Sequence, residues 1–131
     1  MITYGNSFEQ KAIALTNQFR QSQGLSALTV NWQLSSIARF KAMDMRDKNY
    51  AGHLSPTYGS PYDMMRTFGI SFLTAAENVA GGQATPEEAV FAWINNPHHR
   101  NNMLNPKVNQ IGIGYVQGGF YGHYWSQMFI G

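Results

Sequence analysis

The histidines of this chain mark the places where it could do chemistry. His98 and His99 are adjacent in the polar stretch 95–102, directly after a helical pattern, and His53 lies in an irregular loop. An imidazole can act near neutral pH as a general base, a proton carrier or a metal ligand, and loops often carry such residues. We therefore take His53 and His99 as candidate site residues. His98 is expected to face solvent, and His123, on a predicted strand face with aromatic neighbours, is expected to pack.

Glu77 is the carboxylate whose surroundings predict a special role. It lies in the apolar stretch 75–80, where a charge is costly unless a partner is close. Such a glutamate could orient an imidazole, complete a metal site, act as a general base, or bond main-chain amides of the adjacent loop. These alternatives stay open. The other carboxylates are expected at helix N-termini (Asp63, Glu87 and Glu88) or on solvated helix faces (Glu9, Asp44 and Asp47).

Two histidines and a glutamate would suit a catalytic zinc site, which keeps an open position for water. His53, Glu77 and His99 are far apart in the sequence, however, so no local motif fixes that geometry. A serine nucleophile is not expected. Ser55 lies two residues from His53, but it precedes Pro56 and lacks a nucleophile-elbow pattern, so we expect it to stabilise a turn.

Helices are predicted in the first part of the chain, where they would position these residues. Apolar residues recur three or four apart over 8–19 and 34–45, which is the period of an amphipathic helix, and Arg39 lies on the face expected to be solvated. The stretch 49–59 has no sustained period and is expected to be a loop. Capping and proline signals predict four helix starts, at Ser7, Asn31, Ser60 and Thr85. Thr85 with Glu88 matches a capping box.

The last third of the chain changes to the period of strands. Apolar residues alternate with glycine or polar residues over 111–116 and 121–130, and two glycines at 118–119 favour a turn between them. We therefore expect an antiparallel hairpin, with a further short strand over 75–80. Because the helices come first and the strands gather late, the fold class is predicted to be α+β.

The composition sets broad limits on function. A chain of 131 residues predicts one domain over 1–131 that can bury its own core. The absence of cysteine excludes disulfides, thiolate zinc sites and a cysteine nucleophile. The net charge of +2 comes from scattered single residues, so binding to nucleic acid is not expected. No stretch approaches the roughly 18 apolar residues of a membrane span, and no signal-peptide pattern opens the chain.

Several spaced motifs carry a family resemblance that covers nearly the whole chain. They are NQFR at 17–20, GHLSP at 52–56, AENVA at 76–80, WINNPHHRNNML at 93–104, IGIGY at 111–115 and YWSQMF at 124–129. In this order they resemble the CAP superfamily, which covers cysteine-rich secretory proteins, antigen 5 and pathogenesis-related 1 proteins, also called SCP-like domains. The form of the motif around His99 is similar to that of the bacterial, cysteine-free branch.

The resemblance implies a three-layer α-β-α sandwich with a central, mainly antiparallel sheet, and a cleft that holds two histidines and two acidic residues. By motif, the histidines are His53 and His99 and one acid is Glu77. Asn96 stands where the family has its second acid, which leaves one negative charge fewer for a divalent metal such as zinc, whose implied ligands here are His53 and His99. As supporting residues we expect Asn78, by bonding loop backbone, and Arg100, by pairing with a carboxylate.

The function expected from this resemblance is that of a secreted or cell-surface binding module, monomeric, with an unknown protein, cell-wall or lipid ligand. One alternative is a hydrolase of peptide or cell-wall substrates, in which a metal or His99 activates water with Glu77 as acid-base partner. A second alternative is lipid or sterol binding by an exposed apolar patch formed by Tyr58, Tyr62, Met64, Met65 and Phe72.

Overall fold

A four-stranded sheet forms the centre of the structure, a computed structural model that describes residues 5–131. The strands are β1 (Thr29–Val30), β2 (Ala75–Gly81), β3 (Gln110–Gly118) and β4 (Gly122–Ile130). Their order is β1-β3-β4-β2, so β1 and β2 form the two edges. β3 and β4 form the expected antiparallel hairpin, β2 runs antiparallel to β4, and β1 runs parallel to β3.

Helices cover both faces of this sheet. They are α1 (Ser7–Ser22), α2 (Trp32–Lys48), α3 (Pro61–Thr67), α4 (Pro86–Ile94) and α5 (Pro97–Met103). α2 lies across β3 and β4 on one face, with α3 beside it, and α1 packs with α4 on the other face. One apolar core lies under α1 and α4, and a second lies under α2 and α3. The fold is therefore of class α+β, as the sequence pattern predicted, and it is an α-β-α sandwich, as the family resemblance implied.

Glycines at alternate positions of β3 allow α2 to approach the sheet. A Cβ atom on Gly112 would lie 2.3 Å from the main-chain nitrogen of Ser35, and one on Gly114 would lie 2.0 Å from that of Arg39. The intervening Ile113 points to the opposite face and joins the core under α1 and α4. The alternating glycines that predicted β3 thus also form the surface on which α2 packs.

The start of α1 differs from the prediction. The cap is Asn6 and not Ser7, and Asn6 and Glu9 form a capping box in which each side chain accepts the other's main-chain N–H. Glu9 is fully buried, contrary to expectation, because its carboxylate also pairs with Arg39 of α2 at 2.5 Å and accepts the N–H of Tyr115 at 2.9 Å. Arg39 is therefore an ion-pair partner and not a purely solvated residue.

The other predicted helix starts are close to the observed ones. Asn31 and Ser60 cap α2 and α3 as expected. Thr85 caps α4 by accepting the N–H of Glu88, but the Glu88 carboxylate accepts the N–H of Ala84 rather than that of the cap residue. The polar stretch that begins at Pro97, expected to be a turn, is the short helix α5, which is separated from α4 by two residues.

Candidate functional site

A cleft of about 500 Å³ lies beside the start of β2. His53 and Glu77 line it together with Leu54, Ser60, Pro61, Tyr62, Ala75, Ala76, Asn102 and Asn105. Its walls come from the loop 49–59, the start of α3, β2 and the end of α5. The cleft thus combines an imidazole and a carboxylate with a wall that is apolar at Leu54, Pro61 and Tyr62.

Glu77 and His53 are in direct contact. Glu77 is the third residue of β2, and its side chain is 1% exposed. One carboxylate oxygen, Oε1, lies 3.0 Å from Nδ1 of His53, and the other, Oε2, accepts the hydroxyl of Ser126 at 3.1 Å. Because an ionised carboxylate can only accept, Nδ1 of His53 carries the proton and Nε2 is left as the acceptor. The His53 side chain is 54% exposed.

Lys41 completes the charge balance beneath this pair. Its ammonium group, 1% exposed, lies 3.4 Å from Oε1 of Glu77 and donates to the main-chain carbonyl of His53. One side chain therefore neutralises the buried carboxylate and holds the loop that carries the imidazole. Lys41 was not among the residues predicted from the sequence, although its position four residues after Ile37 and four before Met45 places it on the buried stripe of α2.

A second buried carboxylate holds the loop itself. Asp44, expected to be solvated, is 7% exposed and accepts hydroxyl groups from Ser55 at 2.6 Å, Thr57 at 2.5 Å and Tyr50. Burial alone would raise the pKa of Asp44, but these hydrogen bonds outweigh it and leave the pKa lowered. Burial, then the bond to Asp44, raises the pKa of Tyr50. The Ser55 hydroxyl also accepts the N–H groups of residues 57 and 58, which confirms its turn role.

Asn78 ties α5 to the sheet. Its side-chain amide donates to the main-chain carbonyl of His99 at 3.0 Å and to the side chain of Gln127 at 2.9 Å, and its oxygen accepts from Asn102 at 2.8 Å. Asn78 thus bonds main chain, but of the helix α5 and not of a loop as expected. Gln127 and Asn102, which sequence reasoning did not single out, complete the connection, and only their tertiary neighbours reveal it.

Asn96 and Arg100 support α5 and do not enter the cleft lining. Asn96 is the N-cap of α5, and its side-chain oxygen accepts the N–H groups of His98 at 3.0 Å and His99 at 3.4 Å. Arg100 donates to the main-chain carbonyl of Ile94 at 3.4 Å. Within residues 5–131 Arg100 has no carboxylate partner, contrary to expectation, and Glu77 pairs instead with Lys41 and His53.

His99 lies on α5 within electrostatic range of His53. Burial, followed by electrostatic interaction with the imidazoles of His53 and His98, lowers the pKa of His99 below its ordinary value. His98 is exposed as expected, and His123 stacks on Tyr115 with its Nδ1 atom 2.6 Å from the phenol oxygen, so the packing role is confirmed.

Replacing His53 with glutamine is expected to raise the pKa of His99, because one source of repulsion is removed. A histidine-selective NMR titration would measure it, with His123→Gln as a control that leaves the pKa of His99 unchanged. With the folded pKa depressed, the His99 contribution to stability is present above about pH 6.5 and is lost as the pH falls through the folded pKa. An unchanged pKa in His53→Gln would show that the two imidazoles are not neighbours.

The side chains available as ligands show whether the cleft fits the metal ion that the resemblance implies. Among residues 5–131 no group of three or more histidine, aspartate or glutamate side chains is arranged to hold a metal ion. The Glu77 carboxylate orients His53 and is occupied by Lys41 and Ser126, so His53 and His99 are the ligands left. Two imidazoles fall short of the three protein ligands of a catalytic zinc site, and we derive no step through a metal.

The residues expected to form an apolar patch for lipid binding do not all lie at the surface. Met64 and Met65 are 1% and 0% exposed and belong to the core under α2 and α3. Tyr62 remains at the surface, where its ring lies 6.2 Å from that of Phe72, and Leu73 is 98% exposed. In the part of the chain that the structure describes, no helix is long and apolar enough to cross a membrane.

An α-β-α sandwich with a histidine and glutamate cleft defines the class of this protein, and comparison with known proteins identifies the family. The family model for CAP, the cysteine-rich secretory protein family, matches residues 13–129. This chain belongs to the CAP family.

Relatives and solved structures agree with this assignment. The chain is 55% identical to YkwD of Bacillus subtilis over 126 residues, which are 96% of this chain and 48% of that protein. It thus spans about half the length of that relative. An SCP domain in an extracellular protein from Bacillus anthracis superimposes with a TM-score of 0.85 at 32% identity, over 96% of this chain and 41% of that one. An outer surface protein from Borrelia burgdorferi, at 19% identity, shares the fold with a TM-score of 0.84 over 92% and 90% of the two chains.

Proposed function

We propose that this CAP domain is a secreted binding module that takes its ligand in the cleft beside β2. The observation that carries the proposal is the position of His53 in the cleft lining: Glu77 bonds its imidazole and Lys41 bonds its main-chain carbonyl, while its side chain stays 54% exposed. A pre-oriented polar group next to an apolar wall is typical of a ligand site. Export is supported by the extracellular character of the Bacillus anthracis relative.

Hydrolysis is the second candidate, because a carboxylate and an imidazole in contact can act as a general base toward water. Two observations favour binding over catalysis. The Ser55 hydroxyl, the nearest serine in sequence to His53, is committed to Asp44, and within residues 5–131 no three histidine, aspartate or glutamate side chains are grouped so as to hold a metal ion. We therefore propose a divalent ion such as zinc only as an additional component of the cleft. Water or the ligand would fill the coordination positions that the protein leaves open.

Binding by the cleft is expected to depend on His53. Three probe classes would be titrated into the isotope-labelled domain, with zinc or with chelator: blocked random-sequence hexapeptides, soluble cell-wall fragments and phosphatidylcholine vesicles. For the class that binds, we expect amide shifts at Leu54 and 75–77 and an affinity about tenfold lower in His53→Gln, because a hydrogen bond to a bound ligand is lost. His98→Gln, an exposed histidine outside the cleft lining, is the matched control.

The outcomes separate the candidates. Shifts outside the cleft, or equal affinity in His53→Gln and the wild type, would contradict the proposal. Turnover of a hexapeptide or a cell-wall fragment that His53→Gln abolishes would favour the hydrolase. Affinity for vesicles alone would favour the lipid-binding alternative.

A further inference from the structure

The free edge of β2 opens into the cleft. Thr74 and Gly131 exchange both of their main-chain hydrogen bonds, at 3.0 and 2.8 Å, and Gly82 donates to the carbonyl of His123 at 2.8 Å. The register between these points is constant, and hydrogen bonding in an antiparallel pair alternates along a strand. The even-numbered residues of β2 therefore bond to β4, and the N–H and C=O groups of residues 75, 77, 79 and 81 point away from the sheet.

Two outward carbonyl groups of this edge are already bonded. The carbonyl of Val79 accepts the indole N–H of Trp93 at 3.1 Å, and the carbonyl of Glu77 accepts the side-chain amide of Asn102 at 3.3 Å. α4 and α5 thus each supply one donor to the edge. Neither helix donates to the main chain of Ala75, the first residue of β2.

Three main-chain groups remain open at the start of β2. The N–H and C=O of Ala75 and the N–H of Glu77 have no hydrogen-bond partner among residues 5–131, and both residues line the cleft. Glu77 as a residue is only 4% exposed. Main-chain groups in such positions are almost always paired, and an unpaired strand edge is a template for another strand.

We propose that the ligand of the cleft is an extended peptide, which adds to β2 as a further strand at Ala75 and Glu77. This inference rests on the proposed function and names the class of its ligand. A peptide backbone offers donors and acceptors at the spacing of the open groups, whereas an acyl chain offers none. Strand addition leaves alternate side chains facing the walls, where Leu54, 74% exposed, and Tyr62, 44% exposed, fit an apolar side chain.

Proline at position 75 tests strand addition directly. Ala75→Pro removes the outward N–H but no bond to β4, and proline is tolerated at the first residue of an edge strand. Ala75→Val keeps the N–H and adds comparable bulk. With a pool of blocked random-sequence hexapeptides, we expect Ala75→Pro to bind about tenfold more weakly than Ala75→Val, which separates the loss of the N–H from the effect of bulk. The amide hydrogens of Ala75 and Glu77 should exchange more slowly when the pool is bound.

A second arm covers the case in which Ala75→Pro fails to fold. The same pool with N-methylated amides lacks the donors for strand addition and is expected not to bind the wild type. Equal binding of the N-methylated pool, or of the ordinary pool to folded Ala75→Pro, would overturn strand addition. If His53→Gln still weakened binding, the cleft would remain the binding site and the proposed function would stand. Binding of cell-wall fragments or vesicles without any binding of peptides would overturn the peptide ligand alone.

Discussion

Gly114→Ala is expected to lower the free energy of unfolding by about 3 kcal/mol or more, the upper part of the range for overpacking. The added methyl group would lie 2.0 Å from the main-chain nitrogen of Arg39 and 2.3 Å from the carbonyl carbon of Ala38. Main-chain atoms cannot rotate away as a side chain would, so α2 would have to lift from β3. Domains of this kind have a free energy of unfolding of only about 5–15 kcal/mol, so this substitution would remove a large part of it.

Chemical denaturation of purified protein would measure this effect. Gly52→Ala is the matched control, because a Cβ atom at Gly52 meets no atom within 4 Å, and its free energy of unfolding is expected to stay within about 0.5 kcal/mol of the wild type. A change below about 1 kcal/mol in Gly114→Ala would contradict the close seating of α2 on the sheet.

Lys41→Met is expected to cost about 3 kcal/mol of stability. Removing one partner of a buried ion pair typically costs about 3–5 kcal/mol, because the other charge is left buried and uncompensated. We choose the lower end because the Lys41 to Glu77 distance of 3.4 Å is long for a charged hydrogen bond. The main-chain carbonyl of His53 loses its donor in the same variant, so the loop 49–59 should also loosen around the imidazole.

A double-mutant cycle would isolate the coupling between these two charges. Glu77→Gln alone leaves the ammonium group of Lys41 buried at 1% exposure, whereas Lys41→Met with Glu77→Gln leaves no net charge there. The double variant should therefore be less unstable than the sum of the two single variants. Nitrogen chemical shifts of the His53 ring would report the tautomer, which should stay uniform in the wild type and become mixed in Glu77→Gln. Additive stability losses would show that Lys41 and Glu77 are not coupled.

Local patterns in the sequence were enough to predict most of the elements. The hairpin of β3 and β4 follows from alternation around two glycines, and the caps at Asn31 and Ser60 follow from residue type and the next few positions. These features depend on neighbours within a few residues, which a sequence displays directly. The contact between His53 and Glu77 was different in kind: the sequence supplied the candidates, through an apolar environment and a family resemblance, but not the distance between them.

The sequence by itself therefore determined the fold class, the family and the identity of His53, Glu77 and His99 as candidates. The tertiary structure alone decided which charged residues pair with one another, because the ion-pair partners of Lys41 and Glu9 lie 30 or more residues away in the sequence. It also decided that main-chain groups at the start of β2 lack partners, because this depends on which strands and helices lie beside β2. Charge pairing and edge exposure are set by distant segments of the chain, and no local pattern contains them.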